Sequence, residues 1–406
     1  MSIMKAVMYG AGNIGRGFIG ALMNQASYQV SFVDVDQSLV RQLNEKGQYT
    51  LRIIRSEGYE DTLIKGIRAV DGLDKEAVID AIAECDLMAT AVGARILPLI
   101  APLIAQGLQR RFERKAGPLN IIICENLMDA NHVLENLLKK GLTAREIARF
   151  DKEVGLVEAS IGRMVPIQTE VMRAGDPLRV CTEAYAFLPV DKDAFKGPVP
   201  AIKGLVPYSP FEFYLRRKLY LHNMGHACCA YLGLYAGKTY LYEAVADQTI
   251  ELMTRAAMAE SAAALSQTYQ APVKDLMAHA DDLVYRFQNK ALGDSCTRVG
   301  ADIPRKLSRE DRLIGAARFC LDAGIQPVFI TLGAAAALYQ YHIEQGFAQT
   351  EAAASRTMIE LSGLRAEDSL AGLILGFYRL FAQGTSLNEL YKTTLEEKHR
   401  LAGPVL

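Results

Sequence analysis

The chain has 406 residues, 50% of them hydrophobic and 22% charged, a balance that suits a soluble protein of two domains, each with its own core. With a formal net charge of -1, no global field favours a nucleic acid or a membrane surface, and no basic block long enough for a nucleic-acid-binding arm occurs. The seven cysteines (Cys85, Cys124, Cys181, Cys228, Cys229, Cys296, Cys320) lack C-x-x-C spacing. They read as small core residues in a reducing compartment rather than as a disulfide framework or a zinc site.

Residues 5–9 read as a short strand, which leaves no room for a signal peptide ahead of it. The strand enters Gly10-Ala11-Gly12-Asn13-Ile14-Gly15. A helix at 18–25 follows, then a strand at 29–33 that ends at Asp34, 19 positions past the third glycine. In such a G-x-G-x-x-G turn the first glycine permits the tight bend and the second lets the backbone approach a pyrophosphate. The third lets helix and strand pack closely, and the helix N-terminus supplies the anion site. A carboxylate at Asp34 accepts hydrogen bonds from a ribose diol and repels a 2′-phosphate, which favours NAD over NADP.

Strand and helix patterns go on alternating: strands at 51–54 and 64–70, a helix at 75–83, a strand at 86–92 closing on Gly93, a helix at 96–111. A further all-apolar strand, 119–124, closes on Glu125 and Asn126. Runs apolar on both faces suit the middle of a parallel sheet, where ligands bind beyond the carboxyl ends of the strands. Asp34, Gly93 and Asn126 are therefore expected to line one crevice. Residues 154–190 read as short strands forming an antiparallel extension of the sheet. The stretch 197–210, punctuated by Gly197, Pro198, Pro200, Gly204, Pro207 and Pro210, marks a boundary. The fold class is thus an α/β Rossmann-type dinucleotide-binding domain, 1–200, followed by a mostly α-helical domain, 201–406.

Helical spacing or Ala-rich composition marks 241–269, 273–288, 311–323, 327–345, 352–361 and 370–383. The longest apolar stretch, 86–108, is broken by Arg95, Pro98 and Pro102, so no membrane-spanning helix is expected and the protein reads as cytoplasmic. The run 211–236 reads as a helix apolar nearly all round, hence buried. It nevertheless carries Lys218, His222, Asn223 and His226, which at roughly 100° per residue fall within about 140° of one another. Burying such groups is costly unless each has partners or a task. His222 and His226 have the i, i+4 spacing of a zinc protease helix, but Asn223 stands where the activating Glu belongs and no third ligand is evident. No metal is expected, and His222 reads as a core histidine. A polar stretch at 294–312 brings Arg298, Asp302, Arg305, Lys306, Arg309 and Arg312.

Gly10-Ala-Gly-Asn-Ile-Gly-Arg-Gly-Phe-Ile-Gly20 together with Lys218-x4-Asn223-x2-His226 resembles the polyol-specific long-chain dehydrogenases, the mannitol dehydrogenase family, and most closely its mannitol-phosphate branch. Smaller matches are Thr90-Ala-Val-Gly93, Asn120 to Asn126, Arg163-Met-Val-Pro166 and Arg298-Val-Gly300 with Arg305-Lys-Leu-Ser308. The resemblance implies a metal-independent, NAD-linked oxidation of a polyol phosphate, or the reverse reduction. It implies Lys218 as general acid/base, Asn223 and Asn126 holding the reacting oxygen, and His226 orienting that oxygen or Lys218. Arg298 and Lys306 are implied as substrate contacts, with Arg305 and Arg309 as candidates for phosphate. The cofactor set implied is Gly10, Ala11, Gly12, Asn13, Ile14, Gly15, Asp34, Thr90, Val92 and Gly93. The expected partner is a small sugar or polyol phosphate, and the expected state a monomer or small homo-oligomer. The same chemistry on an unphosphorylated polyol or a uronate, and a non-catalytic NAD-binding sensor, are the alternatives.

Overall fold

Eleven strands and a larger number of helices are built by the described residues, 3–127, 129–365 and 367–402, of this computed structural model. The chain divides into two compact units, Met1–Glu212 and Phe213–Leu406.

In the first unit, β1 (Lys5–Tyr9), β2 (Gln29–Asp34), β3 (Gln48–Ile54), β4 (Tyr59–Lys65), β5 (Arg68–Asp71), β6 (Leu87–Thr90), β7 (Leu119–Ile123) and β8 (Val154–Glu158) come first. Three short strands, β9 (Val180–Thr182), β10 (Leu188–Asp191) and β11 (Leu205–Tyr208), complete it. Six of these form one all-parallel sheet in the order β5-β2-β1-β6-β7-β8, the arrangement of a doubly wound dinucleotide fold. Side chains alternate across it. Ala6 and Met8 of β1 enter one apolar layer while Val7 and Tyr9 enter the other, so both faces are covered and the strands read as unbroken apolar runs. Asn120, the polar residue in β7, is buried because its amide bonds both the carbonyl and the N–H of Lys196, at 3.1 and 2.8 Å.

The structure departs from the sequence reading in four places. The single strand expected at 64–70 is two, β4 and β5, because Gly66 takes φ +69° and breaks it, a backbone conformation open to glycine without strain. Residues 154–190 do not form an antiparallel extension. There β8 pairs with β7, β9 with β3 and β10 with β11, all in parallel. The antiparallel contact of the segment is the single bridge Ala159–Val190, and the antiparallel strand pair of this unit is the β3–β4 hairpin. Four longer helices that the sequence reading passes over, Gln37–Lys46, Ala130–Lys139, Ala144–Glu153 and Leu387–Ala402, are present as well. The helix expected at 241–269 is two, Leu241–Val245 and Gln248–Tyr269, restarted by Asp247, whose carboxylate caps the N–H of Thr249 and Ile250.

The second unit is all helical around the run that starts at Glu212. Its last part, Met224–Tyr235, is buried on nearly every side. It packs on Gln248–Tyr269, Val328–Gln345 and Cys296–Gly300. A Cβ at Gly333 would stand 2.2 Å from the Cys228 sulfur, so glycine there sets how close two core helices come. All seven cysteines are buried free thiols. No described helix is long and apolar enough to cross a membrane.

Candidate active site

Gly10 takes φ +100°, and its missing side chain leaves room for the Ala91 carbonyl, 2.5 Å from where a Cβ would sit. At Gly15 a Cβ would lie 1.9 Å from the Gly10 carbonyl, so these two glycines are required by the turn itself. Gly12 differs: a Cβ there would meet nothing within 4 Å. The turn is therefore open in front of its middle glycine, where a diphosphate needs access to the backbone, and the first N–H groups of a helix have no partner within the helix. The helix after the turn begins as a π-helical stretch, Gly15–Ile19, and continues as Gly20–Gln25.

Asp34 ends β2 with one oxygen on the Ala11 N–H at 2.7 Å and the other on the Asp36 N–H at 3.0 Å. Those bonds orient the carboxylate at the lip of the turn and leave lone pairs for a diol. Arg16 is 7% exposed and donates to the carbonyls of Ala11 and Leu178, both at 2.6 Å. It buckles the turn from behind rather than facing an anion in front. Glu125 is a residue whose part the sequence reading does not assign. It is buried and its two oxygens accept from the N–H of Val92 and Gly93 at 3.0 and 2.7 Å, holding the loop after β6 against the end of β7. Asn126 follows it and is exposed. The structure thus gathers the glycine turn, Asp34, Val92, Gly93 and Asn126 at the carboxyl ends of adjacent strands. Thr90 is fully buried and its hydroxyl has no hydrogen-bond partner among the described residues, so it lines the interior, not the crevice surface.

In the helical unit, Lys218, His222 and Asn223 lie in a π-helical stretch, Arg217–Asn223. Such stretches bond i to i+5 and are frequent at functional sites. Each residue advances by about 80° instead of about 100°, so Asn223 rotates back toward Lys218. The four polar residues share a narrower face than a regular α-helix would give them. His222 is buried, whereas Lys218, Asn223 and His226 are half-buried, within reach of a solute.

His226 stacks on the Phe287 ring, centroids 4.8 Å apart. Its Nε2 is buried with no hydrogen-bond partner among the described residues, 3.8 Å from an Asp294 oxygen. Asp294 in turn pairs with Arg298, four residues on. Asp294 appears in the sequence reading only as the edge of a polar stretch; its signal was an acid at i, i+4 from an arginine within a basic run. Burial pushes the Asp294 carboxyl up against the pull of Arg298. It also holds His226 down at about 3, helped by Arg298, Arg312, Arg286 and Lys306, and His222 well below its usual value. Both imidazoles are therefore neutral near pH 7 and act as hydrogen-bonding groups.

Lys306 is 4% exposed, and its ammonium is lowered to about 8, first by burial and then by Arg312 and Arg305. Arg305 is turned to two carboxylates, Asp302 at 2.5 Å and Asp311 at 3.0 Å. Among the described residues no group of three or more His, Cys, Asp or Glu is placed to hold a metal ion.

A doubly wound nucleotide-binding unit joined in sequence to a helical unit with a lysine, an amide and an imidazole on one helix face is the build of a two-domain dehydrogenase. Family models agree: the mannitol dehydrogenase Rossmann domain matches residues 4–204 and the mannitol dehydrogenase C-terminal domain residues 211–372. The chain belongs to the mannitol dehydrogenase family. It is 38% identical to a mannitol-1-phosphate 5-dehydrogenase of Brevibacillus brevis over 82% of this chain and 86% of that one. It is 36% identical to one of Bacillus licheniformis over 91% and 94%. Among solved structures, Pseudomonas fluorescens mannitol 2-dehydrogenase in ternary complex with NAD and D-mannitol has a TM-score of 0.72 at 19% identity, covering 99% of this chain and 95% of that one. A substrate-free D-sorbitol dehydrogenase has 0.78 at 14%, covering 95% and 96%. At those identities the structural likeness concerns the fold.

Proposed function

We propose that the protein oxidises D-mannitol 1-phosphate to D-fructose 6-phosphate, and catalyses the reverse, with NAD. The observation that carries this is the Lys218, Asn223 and His226 face wound into a π-helical stretch, in a chain more than a third identical to mannitol-1-phosphate 5-dehydrogenases. NAD, when bound, supplies the hydride acceptor. The glycine turn Gly10–Gly15 would hold its diphosphate and Asp34 its adenosine ribose, with Val92 and Gly93 lining the same crevice. Lys218 takes the proton of the reacting hydroxyl as the hydride leaves the same carbon, and returns one when the ketose is reduced. Asn223 and Asn126 donate to the oxygen as its charge develops, a kind of contact that contributes around 3 kcal/mol. His226, neutral, bonds the substrate oxygen or Lys218 and fixes its position. Arg298 and Lys306 contact the substrate. No metal is assigned a part in proton transfer.

The test is NADH oxidation with fructose 6-phosphate, fructose, a uronate and no substrate, each with EDTA. Rapid turnover confined to the phosphorylated ketose is expected. Turnover confined to fructose or the uronate would keep the chemistry and replace the substrate. Tight NADH binding without any turnover would replace the enzyme with a sensor.

A further inference from the structure

We propose that Lys306 and Arg312 together form the subsite for the substrate's phosphate. The inference rests on the reading of the substrate as a polyol phosphate, and it names a residue, Arg312, that the family motif does not single out.

Lys306 is 4% exposed and its ammonium has neither an ion pair nor a hydrogen-bond acceptor among the described residues. Such a group costs several kcal/mol to bury. It persists where something other than the chain answers it. The Arg312 side chain is 12% exposed. Its Nε donates to Asp311 at 2.8 Å, while its two Nη groups have no acceptor among the described residues. Asp311 also receives the Arg312 backbone N–H, at 2.6 Å, so the guanidinium is anchored at its stem with its far edge unanswered. The Leu313 N–H donates to the Lys306 carbonyl at 3.4 Å, so the backbone brings Lys306 beside Arg312.

The other cations of this stretch are already engaged. Arg298 is paired with Asp294, and Arg305 with Asp302 and Asp311. Arg309 is exposed, 3.8 Å from Glu310, and donates to the Gly363 carbonyl. Among the described residues, the carboxylates paired with Arg305 and Arg312 are Asp302 and Asp311, which leaves one positive charge over for Arg305, Lys306 and Arg312, and that surplus sits on the lysine. A guanidinium edge takes two phosphate oxygens at once and a buried ammonium takes a third. An unphosphorylated ketose would leave the Lys306 ammonium desolvated and unpaired and the Arg312 Nη groups without an acceptor, and that penalty is what discriminates against it.

The experiment uses the full chain with NADH. It compares kcat/KM for fructose 6-phosphate with that for fructose in the wild type, Arg312→Gln, Arg312→Lys, Lys306→Met, Arg305→Gln and Arg309→Gln. It also measures competitive inhibition by inorganic phosphate, with a thermal melt of each variant to establish folding. We expect Arg312→Gln and Lys306→Met each to lower the preference for the phosphorylated ketose and to weaken inorganic phosphate by about 30-fold or more, as for truncating one side of a buried charge pair. Arg312→Lys, which keeps the charge without the fork, falls between. A wild type that prefers fructose 6-phosphate, with Arg312→Gln within about threefold of it on both readouts, overturns the subsite and leaves the function standing. So does loss of preference in Arg305→Gln or Arg309→Gln instead. A wild type that handles fructose and fructose 6-phosphate alike overturns the polyol-phosphate reading and the subsite with it.

Discussion

Glu260 and Lys306 are both nearly fully buried charges in the helical unit, 2% and 4% exposed, and the chain treats them in opposite ways. Glu260 accepts from the N–H groups of Phe329 and Ile330 at 3.0 and 3.1 Å and from Lys398 at 2.8 Å. It thereby fastens the start of Val328–Gln345 and the terminal helix Leu387–Ala402 to Gln248–Tyr269. Lys306 has no such company. A buried charge answered from every side belongs to the architecture, because removing it orphans donors that have nowhere else to turn. A buried charge answered by nothing is held ready for a ligand, and removing it relieves the fold while harming the site.

The largest expected consequence comes from the buried imidazoles. Burial keeps His222 well below its usual value, His226 near 3 and His279 near 2. The unfolded chain takes up protons on these residues below about pH 6.5 while the folded one does not. Stability is therefore fully present above that pH and is lost as pH falls toward 3, by up to about 1.4 kcal/mol per pH unit for each histidine. Urea titrations of the wild type and a His222→Gln, His279→Gln pair between pH 6 and 4 should show the slope shrink in the double variant. An unchanged slope would assign acid lability to the carboxylates.

Glu260→Ala should destabilise the helical unit by about 3 kcal/mol, since it orphans two helix N-terminal amides and the partner ammonium, with KM for the ketose phosphate little changed in the surviving folded protein. Lys306→Met should do the reverse: stability equal to the wild type or higher by about 1 kcal/mol, and a raised KM. If denaturant midpoints fall equally in both variants, Lys306 is an architectural charge too.

The smallest effect expected is in the pH dependence of substrate capture. The Lys306 ammonium, held down at about 8 by burial and by Arg312 and Arg305 against the pull of Asp302 and Asp311, is charged below that value and neutral above it. KM for fructose 6-phosphate should rise as pH passes through 8, by about tenfold per unit where the proton is required for binding. KM for fructose should not follow it. A pH-independent KM between 7 and 9.5 would remove the lysine from the phosphate contact.

What sequence made legible was local. Strand, turn, helix and acid lie together within the first 34 residues, and the glycine positions alone dictate the bend. Caps for the helices passed over also stand in the text: Asp36 and Gly47 flank Gln37–Lys46, and Thr143 with Glu146 boxes the start of Ala144–Glu153. Pairings between distant segments were not legible. β9 lies beside β3 although well over a hundred residues separate them, and nothing in either short run names its partner. The Lys218 face was visible at α-helical spacing, but the π stretch that narrows it was not, because i to i+5 bonding leaves no distinct apolar period. Asp294 and Glu125 escaped for a related reason: each works by what it touches in the folded chain.

The central claim is that Lys218 moves the proton in an NAD-linked reaction of a polyol phosphate, and Lys218→Ala tests it most directly. NADH affinity by fluorescence titration should stay within about twofold of the wild type, while turnover of fructose 6-phosphate falls by about three orders of magnitude and is partly restored by added ethylamine. A variant that binds NADH and still turns over within about tenfold of the wild type would contradict the account, since the proton would then pass through another group.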